Sequence, residues 1–175
     1  MYAPVALPVT LSIGSSLTGG VSRVANRNGA ALTFAYVVLG VVWQVAFYSA
    51  FATWVQGTNP EMTDIPLPIV NVPIAVSATV AVVALLLLQV AAIVSIRTFV
   101  GGHTDEIPSE YYTRNIVLVL ANALVGGLAY GLIVFVGSVL FIIPGLIAYV
   151  AFLFMLVYIA VEDENFVAAL RDSWR

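Results

Sequence analysis

The chain has 175 residues, of which 62% are hydrophobic and only 9% are charged. An average soluble domain is about half apolar and about a quarter charged, so this composition argues against a water-soluble core and favours burial in a bilayer. The sequence has no cysteine, which excludes disulfides, thiolate metal sites and cysteine nucleophiles. A net charge of -3 without a run of basic residues argues against nucleic acid as a partner.

Residues 1–29 are predicted to form a retained cytoplasmic and interfacial segment. They lack the basic start and the small-residue cleavage site of a secretory signal, and Pro4 and Pro8 interrupt their short apolar run. From Thr10 to Asn28, apolar residues recur at helical spacing while polar residues occupy the other faces. This pattern predicts an amphipathic helix at the membrane interface.

Residues 30–161 are predicted to form a transmembrane domain of four helices, since a helix needs about 20 apolar residues to cross the hydrocarbon. The uncharged stretch 115–161 is about twice that length, so we divide it into two spans. Pro144 and Gly145 are the predicted helix breakers, with Pro144 in the first turn of the fourth helix. The predicted spans cover about residues 30–55, 72–96, 115–136 and 144–161.

The tail, residues 162–175, is predicted to form a second amphipathic interfacial helix. Phe166, Leu170 and Trp174 share one face, and acids precede the helix while arginines end it, which suits the helix dipole. We favour an ordinary interfacial helix over a docking site for a partner.

The arginines predict the orientation of the chain in the membrane. Positively charged residues are enriched on the cytoplasmic side of membrane proteins. In this chain the side opposite to the arginines carries only the acids Glu61 and Asp64. Both termini are therefore predicted to be cytoplasmic in a cell membrane. All six cations are arginine and none is lysine, which hints at a salt-adapted source. The predicted topology anchors are Arg23, Arg27, Arg97, Arg114, Arg171 and Arg175.

Polar side chains inside the spans are few, and none of the three (Gln44, Gln89 and Asn122) is ionisable, which argues against a coupled transporter. Gln89 and Asn122 each lie eight residues from an arginine at a span end, or about 12 Å at the helical rise. In antiparallel neighbours they would lie at the same depth. We therefore predict a hydrogen bond between them that holds two helices together, in preference to a contact with substrate.

The third span carries a stripe of small residues, Ala123, Gly127 and Gly131, which permits a close approach of another helix. We favour a neighbour from the same chain and keep a second copy of the chain as the alternative. These three residues, with Gln89 and Asn122, form the predicted helix-packing set.

The sequence offers no catalytic, cofactor or metal site. His103 lies near three carboxylates, but a zinc site normally takes spaced pairs of His or Cys, and neither HExxH nor CxxC occurs. No G-x-S-x-G, P-loop or dinucleotide motif is present either. We therefore expect that the protein is not an enzyme and has no cofactor.

Two segments resemble a known group of proteins. The stretch from Gly137 through FIIPG to EDENFVAALRDSW, and the segment VSRVANRNGA, are similar to uncharacterised haloarchaeal multi-pass membrane proteins. Bacterial relatives of that group include the membrane domain of glycerophosphoryl diester phosphodiesterases. The resemblance implies a helical membrane fold. It does not carry the phosphodiesterase activity, because that catalytic domain has no counterpart here.

In such families further membrane helices usually follow the Ser-Trp pair, whereas this sequence ends at Arg175. The function predicted from the sequence is a non-catalytic scaffold or accessory subunit. Its partners would be membrane lipids and either another membrane protein or further copies of itself. The alternatives are a component of a transporter or channel that forms on oligomerisation, and the membrane half of a lipid-handling enzyme.

Overall fold

The computed structural model describes residues 13–59, 61 and 67–175, and it describes only the backbone of Ile13, Ser16 and Arg23. Pro4, Pro8 and Asp64 lie outside these residues. The described part is helical and contains no strand. Its helices, in chain order, are α1 (Ile13–Val24), α2 (Arg27–Thr58), α3 (Ile74–Gly101), α4 (Glu110–Thr113), α5 (Ile116–Leu140), α6 (Ile142–Ala151), α7 (Met155–Glu162) and α8 (Phe166–Trp174).

Four helical stretches are long and apolar enough to cross a membrane: α2, α3, α5, and α6 together with α7. This confirms the predicted all-α membrane bundle with four spanning helices. Shorter helices precede and follow these four, since α1 comes before them and α8 after them.

A tight elbow joins α1 to α2. The Asn26 side chain accepts a hydrogen bond of 2.9 Å from the Gly29 N–H and so caps the start of α2. Gly29 is buried, and a β-carbon added there would collide with the backbone of Val24. The elbow therefore needs a residue without a side chain at position 29.

The first hairpin is formed by α2 and α3, which pack along most of their length. A non-helical segment, residues 68–73, precedes α3 and lies beside α2. There the Val70 N–H donates a hydrogen bond of 2.8 Å to Ser49 Oγ. This side-chain acceptor satisfies a backbone donor that no helix satisfies.

The second hairpin reverses at a single residue, Phe141, between α5 and α6. Pro144 and Gly145 both lie in the first turn of α6, so they stand inside a helix and not at the reversal. A β-carbon on Gly145 would collide with Ser138, and one on Gly137 would lie 3.0 Å from Gly145. These glycines allow the two helices to approach closely beside the reversal.

The fourth spanning stretch is broken. Residues 152–154 form turns between α6 and α7. Across the break, the Met155 N–H donates to the Phe152 carbonyl at 3.2 Å, three residues back instead of four. The prediction treated this stretch as one span and contains no such break.

The two hairpins meet near the end of the bundle where the arginines lie, which we call the arginine end. The core there joins α3, α5, α7 and α8 and consists of Ile93, Val119, Ala123, Met155, Ile159, Ala160 and Ala169. Toward the opposite end, the large apolar side chains of α6, such as Leu146 and Val150, are exposed. Side-chain packing between the hairpins is therefore concentrated near the arginine end.

Candidate functional site

The most elaborate polar arrangement of the described residues surrounds the buried side chain of Arg97 on α3. Its Nε donates to the Ala160 carbonyl at 2.6 Å, and its Nη2 donates to Asp163 Oδ1 at 2.8 Å. Its Nη1 donates to the carbonyls of Tyr111 and Arg114, each at 3.0 Å. One guanidinium therefore joins α3, the segment before α5, and the end of α7.

Asp163 is the acidic centre of this cluster. Its Oδ1 pairs with Arg97, and its Oδ2 lies 3.3 Å from Arg114 Nε and accepts a hydrogen bond of 3.0 Å from Asn115 Nδ2. Arg114 also donates through Nη2 to the Val161 carbonyl at 2.9 Å. We call Arg97, Arg114, Asn115 and Asp163 the arginine cluster.

The electrostatics of the arginine cluster favour a structural role. Two guanidinium groups share one carboxylate, and the remaining positive charge faces backbone carbonyls at the C-terminal end of α7, where the helix dipole is negative. A buried charge is tolerated only when it is paired and hydrogen-bonded, and Arg97 meets both conditions. Four of its five N–H donors have partners.

The local sequence explains how Asp163 reaches this position. It follows α7 with φ of 55°, in the left-handed region, where Asp and Asn are more easily accommodated than other side chains. The next helix, α8, is capped by Asn165, whose side chain accepts from the N–H groups of Val167 and Ala168. The chain therefore reverses sharply between Glu162 and Phe166.

After this reversal α8 returns along the bundle to the break in the fourth stretch. Ser173 Oγ donates to the Ala151 carbonyl at 2.8 Å, and the Trp174 ring lies 5.7 Å from the Phe152 ring. From α5, the Tyr130 hydroxyl donates to the Tyr149 carbonyl at 3.2 Å. Side chains from α8 and α5 thus satisfy carbonyls beside the break, as a low-dielectric setting requires.

The chain belongs to the DUF7847 family. The family is described as a domain of unknown function, and its sequence profile matches residues 11–175. No curated protein and no solved structure matches the chain. The match covers all the helices described above, so the arginine cluster and the docked α8 both lie within the family domain. The resemblance to haloarchaeal proteins and to the phosphodiesterase membrane domain stays a prediction.

The structure does not join Gln89 to Asn122. Asn122 Oδ1 accepts from the Phe166 N–H at 3.1 Å, and its Nδ2 donates to the Leu118 carbonyl at 3.0 Å. The predicted hydrogen bond with Gln89 is therefore wrong. Within the described residues Asn122 links α5 to the start of α8, because the reversal at Asp163 brings Phe166 beside it.

The three residues of the small-residue stripe do not share one environment. Ala123 is buried in the core, whereas Gly127 and Gly131 are exposed, and a β-carbon on either of them would meet no atom within 4 Å. The predicted contact within the chain is therefore absent at these two glycines. Close packing occurs at Gly126 instead, where a β-carbon would lie 3.1 Å from that of Phe166.

Three other predicted topology anchors lie on the surface. Arg27 begins α2 and is exposed. Arg171 and Arg175 are also exposed, and each pairs with Asp172, at 3.4 Å and 3.5 Å. The side chain of Arg23 lies outside the described part. Unlike these, Arg97 is a buried connector, which its place at the end of a span did not indicate.

The loop after α3 packs on the elbow before α2. Asn28 is buried, and its Nδ2 donates to the His103 carbonyl at 3.1 Å. The His103 ring meets the Tyr111 ring edge-on, with Nδ1 3.2 Å from the hydroxyl oxygen. Within the described ranges, no three His, Asp or Glu side chains are grouped so that they could hold a metal ion.

Asp163, like Asn115, is a member of the arginine cluster that sequence reasoning missed. In the sequence it stands only as one of the acids before the tail helix. A signal was present, because Asp163 is among the first charged residues after the long uncharged stretch 115–161 and Arg97 closes another apolar span. Opposite charges at the ends of two spans are candidates for a pair, although only the fold decides that they meet.

Proposed function

We propose that the protein is a non-catalytic scaffold or accessory subunit of a cell membrane. The observation that supports this proposal best is the engagement of Arg97. Charged side chains inside membrane helices are usually markers of ion paths or proton relays. Here the buried guanidinium binds structural carbonyls and Asp163. A charge held in this way is suited to fixing helix ends and not to moving ions.

A partner would bind within the membrane, where Gly127 and Gly131 leave open space on α5. Open glycines let another helix approach closely, and van der Waals packing is a main source of helix association in lipid. The partner is another membrane chain or a second copy of this one. Both possibilities give complexes of fixed stoichiometry.

Native mass spectrometry in lipid nanodiscs tests this proposal. We expect a second chain at fixed stoichiometry with the wild-type protein, and its loss in Gly131→Leu, because leucine fills the open face. The matched control is Gly40→Leu on α2, where a β-carbon also meets nothing within 4 Å. A single chain alone in every spectrum, or equal effects of the two substitutions, would contradict the proposal.

The proposed orientation places both termini in the cytoplasm, with the arginine end inside. A single cysteine can be introduced into this cysteine-free chain at Thr58 or at Asp105. We expect a membrane-impermeant thiol reagent to label position 58 from outside intact cells and to leave position 105 unlabelled. The reverse pattern would contradict this topology. The all-arginine cation set also supports a salt-adapted source.

A second candidate is the membrane half of a lipid-handling enzyme. It is favoured by a groove of about 560 Å³ between α2 and α3, which has an apolar wall and two amides, Gln44 and Gln89. A glycerophospholipid that stays bound in the same mass spectra would favour this candidate. The transport alternative predicts instead a flux into proteoliposomes that depends on membrane potential.

A further inference from the structure

The break between α6 and α7 gives one backbone group two possible partners. In an unbroken α-helix the Ala151 carbonyl would accept from the N–H of Met155, four residues later. In this structure Met155 donates to Phe152, and the Ala151 carbonyl accepts from Ser173 Oγ of α8. The bent form of the fourth stretch is therefore matched to a docked α8.

If α8 leaves, the Ala151 carbonyl loses its donor. An unsatisfied carbonyl is unfavourable in a low-dielectric setting, so the helix gains by restoring the bond from Met155. That exchange of partners straightens the fourth stretch. The straight form would be a second arrangement in which the Ala151 carbonyl has a donor within its own helix, whereas the bent form takes that donor from α8.

Several contacts hold α8 in the docked position. Ala169 is fully buried, and the Phe166 N–H donates to Asn122 Oδ1 on α5. Trp174 packs against Phe152 inside the break. These contacts begin immediately after the reversal that contains Glu164, so a change at Glu164 acts directly on the docking of α8.

Glu164 is poorly accommodated as an anion. Its Oε2 atom is shielded from solvent and has no hydrogen-bond partner in the described part of the chain. The charged groups that face it are Asp172 and Arg171 on α8 and Glu162 on α7. Burial, and then the negative charges of Asp172 and Glu162, raise the pKa of Glu164, while Arg171 opposes them.

We propose that α8 is a pH-responsive latch on a hinge in the fourth spanning stretch, docked while Glu164 is protonated and released when Glu164 ionises. A protonated carboxyl can donate to Asp172, whereas two carboxylates side by side repel each other. A carboxyl with a raised pKa stabilises the docked form at low pH. That contribution is lost as the pH rises through the pKa of the docked form.

Spin-label distances in lipid nanodiscs test the latch. Because the chain has no cysteine, labels can be placed on introduced cysteines at Val117 of α5 and Val167 of α8, both well exposed. We expect one short distance at about pH 4 and a longer, broader distribution at about pH 8, a range that extends from the ordinary carboxyl pKa to well above it. An unchanged wild-type distance over this range would overturn the proposal.

Two variants identify the group responsible. Glu164→Gln cannot ionise, so its distance should stay short at both pH values. Ser173→Ala lacks the donor to Ala151, so its released fraction should be larger than that of the wild type at acid pH. Asp105→Asn, an exposed change in the loop after α3, should keep the wild-type response. A Glu164→Gln protein that responds to pH like the wild type would overturn the role of Glu164.

A second pair of labels, at Leu146 of α6 and Val82 of α3, reports the hinge. Both side chains are exposed. We expect this distance to change over the same pH range as the distance between α5 and α8. If α8 were released while the distance from α6 to α3 stayed constant, the coupling between latch and hinge would be refuted.

Discussion

Asn115 and Asp163 face each other across two chain reversals and are joined by a hydrogen bond of 3.0 Å from Nδ2 to Oδ2. They are the two non-glycine residues with positive φ in the described part, at 49° and 55°. Asn115 immediately precedes α5, and Asp163 follows the end of α7. Each left-handed residue thus directs its side chain to the other, and together they deliver the carboxylate to Arg97.

Substitutions at Asn115 should separate the backbone requirement from the hydrogen bond. Asn115→Gly adopts the left-handed conformation freely and should lose only the hydrogen bond, about 1 kcal/mol of unfolding free energy. Asn115→Val should cost about 1 to 2 kcal/mol more, because a β-branched side chain is strained at positive φ. Thermal unfolding in detergent measures both, and equal losses would show that the conformation of Asn115 does not matter.

Removing the charge of Asp163 should destabilise the fold strongly. Asp163→Asn keeps the left-handed preference and nearly the same shape, but it leaves the buried Arg97 without its counter-ion. Breaking a buried pair in this way costs about 3 to 5 kcal/mol. The matched control is Asp105→Asn, an exposed residue whose loss should change stability by less than about 0.5 kcal/mol. Chemical unfolding measures both free energies. Equal losses in Asp163→Asn and Asp105→Asn would refute the structural role of the arginine cluster.

The hairpin of α5 and α6 should depend on the absence of a side chain at Gly145. In Gly145→Ala the new methyl group would collide with Ser138, so the helices must separate. We expect a loss of about 1 to 3 kcal/mol, typical of an overpacked contact. Gly131→Ala has open space and should be neutral or stabilising, by up to about 1 kcal/mol from helix propensity. A higher unfolding midpoint for Gly145→Ala than for Gly131→Ala would contradict this packing.

A double-mutant cycle should show that Gln89 and Asn122 act independently. Asn122→Leu removes the acceptor of the Phe166 N–H and should cost about 1 kcal/mol. Gln89→Leu should add its own effect without coupling, because the structure joins neither side chain to the other. A coupling energy above about 0.5 kcal/mol would restore the hydrogen bond that the sequence predicted.

The sequence predicted the spanning helices well because their signal is local and additive. A bilayer demands about 20 apolar residues in a row, and each such run can be counted without knowing its neighbours. The division of 115–161 into two helices followed from length alone. The break at residues 152–154 was not visible in the sequence, since nothing in the apolar letters marks it and its carbonyls are satisfied from Ser173 and Tyr130, which are distant in the chain.

The candidate site could be predicted only in part. The sequence placed Arg97 and Arg114 at the same end of the bundle, because positive charges are expected on one side of a membrane. It did not show that Asp163 pairs with both, because a pair between residues 66 positions apart depends on how α3 and α7 pack. Likewise Asn122 was recognised as a helix-joining amide, but its partner depends on the return of α8.

The sequence by itself determined that the protein lies in a membrane. A chain that is 62% hydrophobic, with long uncharged runs, has to place four helices in lipid. Hydrophobicity is a sum over residues, so composition and spacing are sufficient to read it. Tertiary structure alone decided which polar groups meet, because hydrogen bonds and ion pairs are short-ranged and directional. For that reason the arginine cluster and the docking of α8 at the break appear only when the helices are packed.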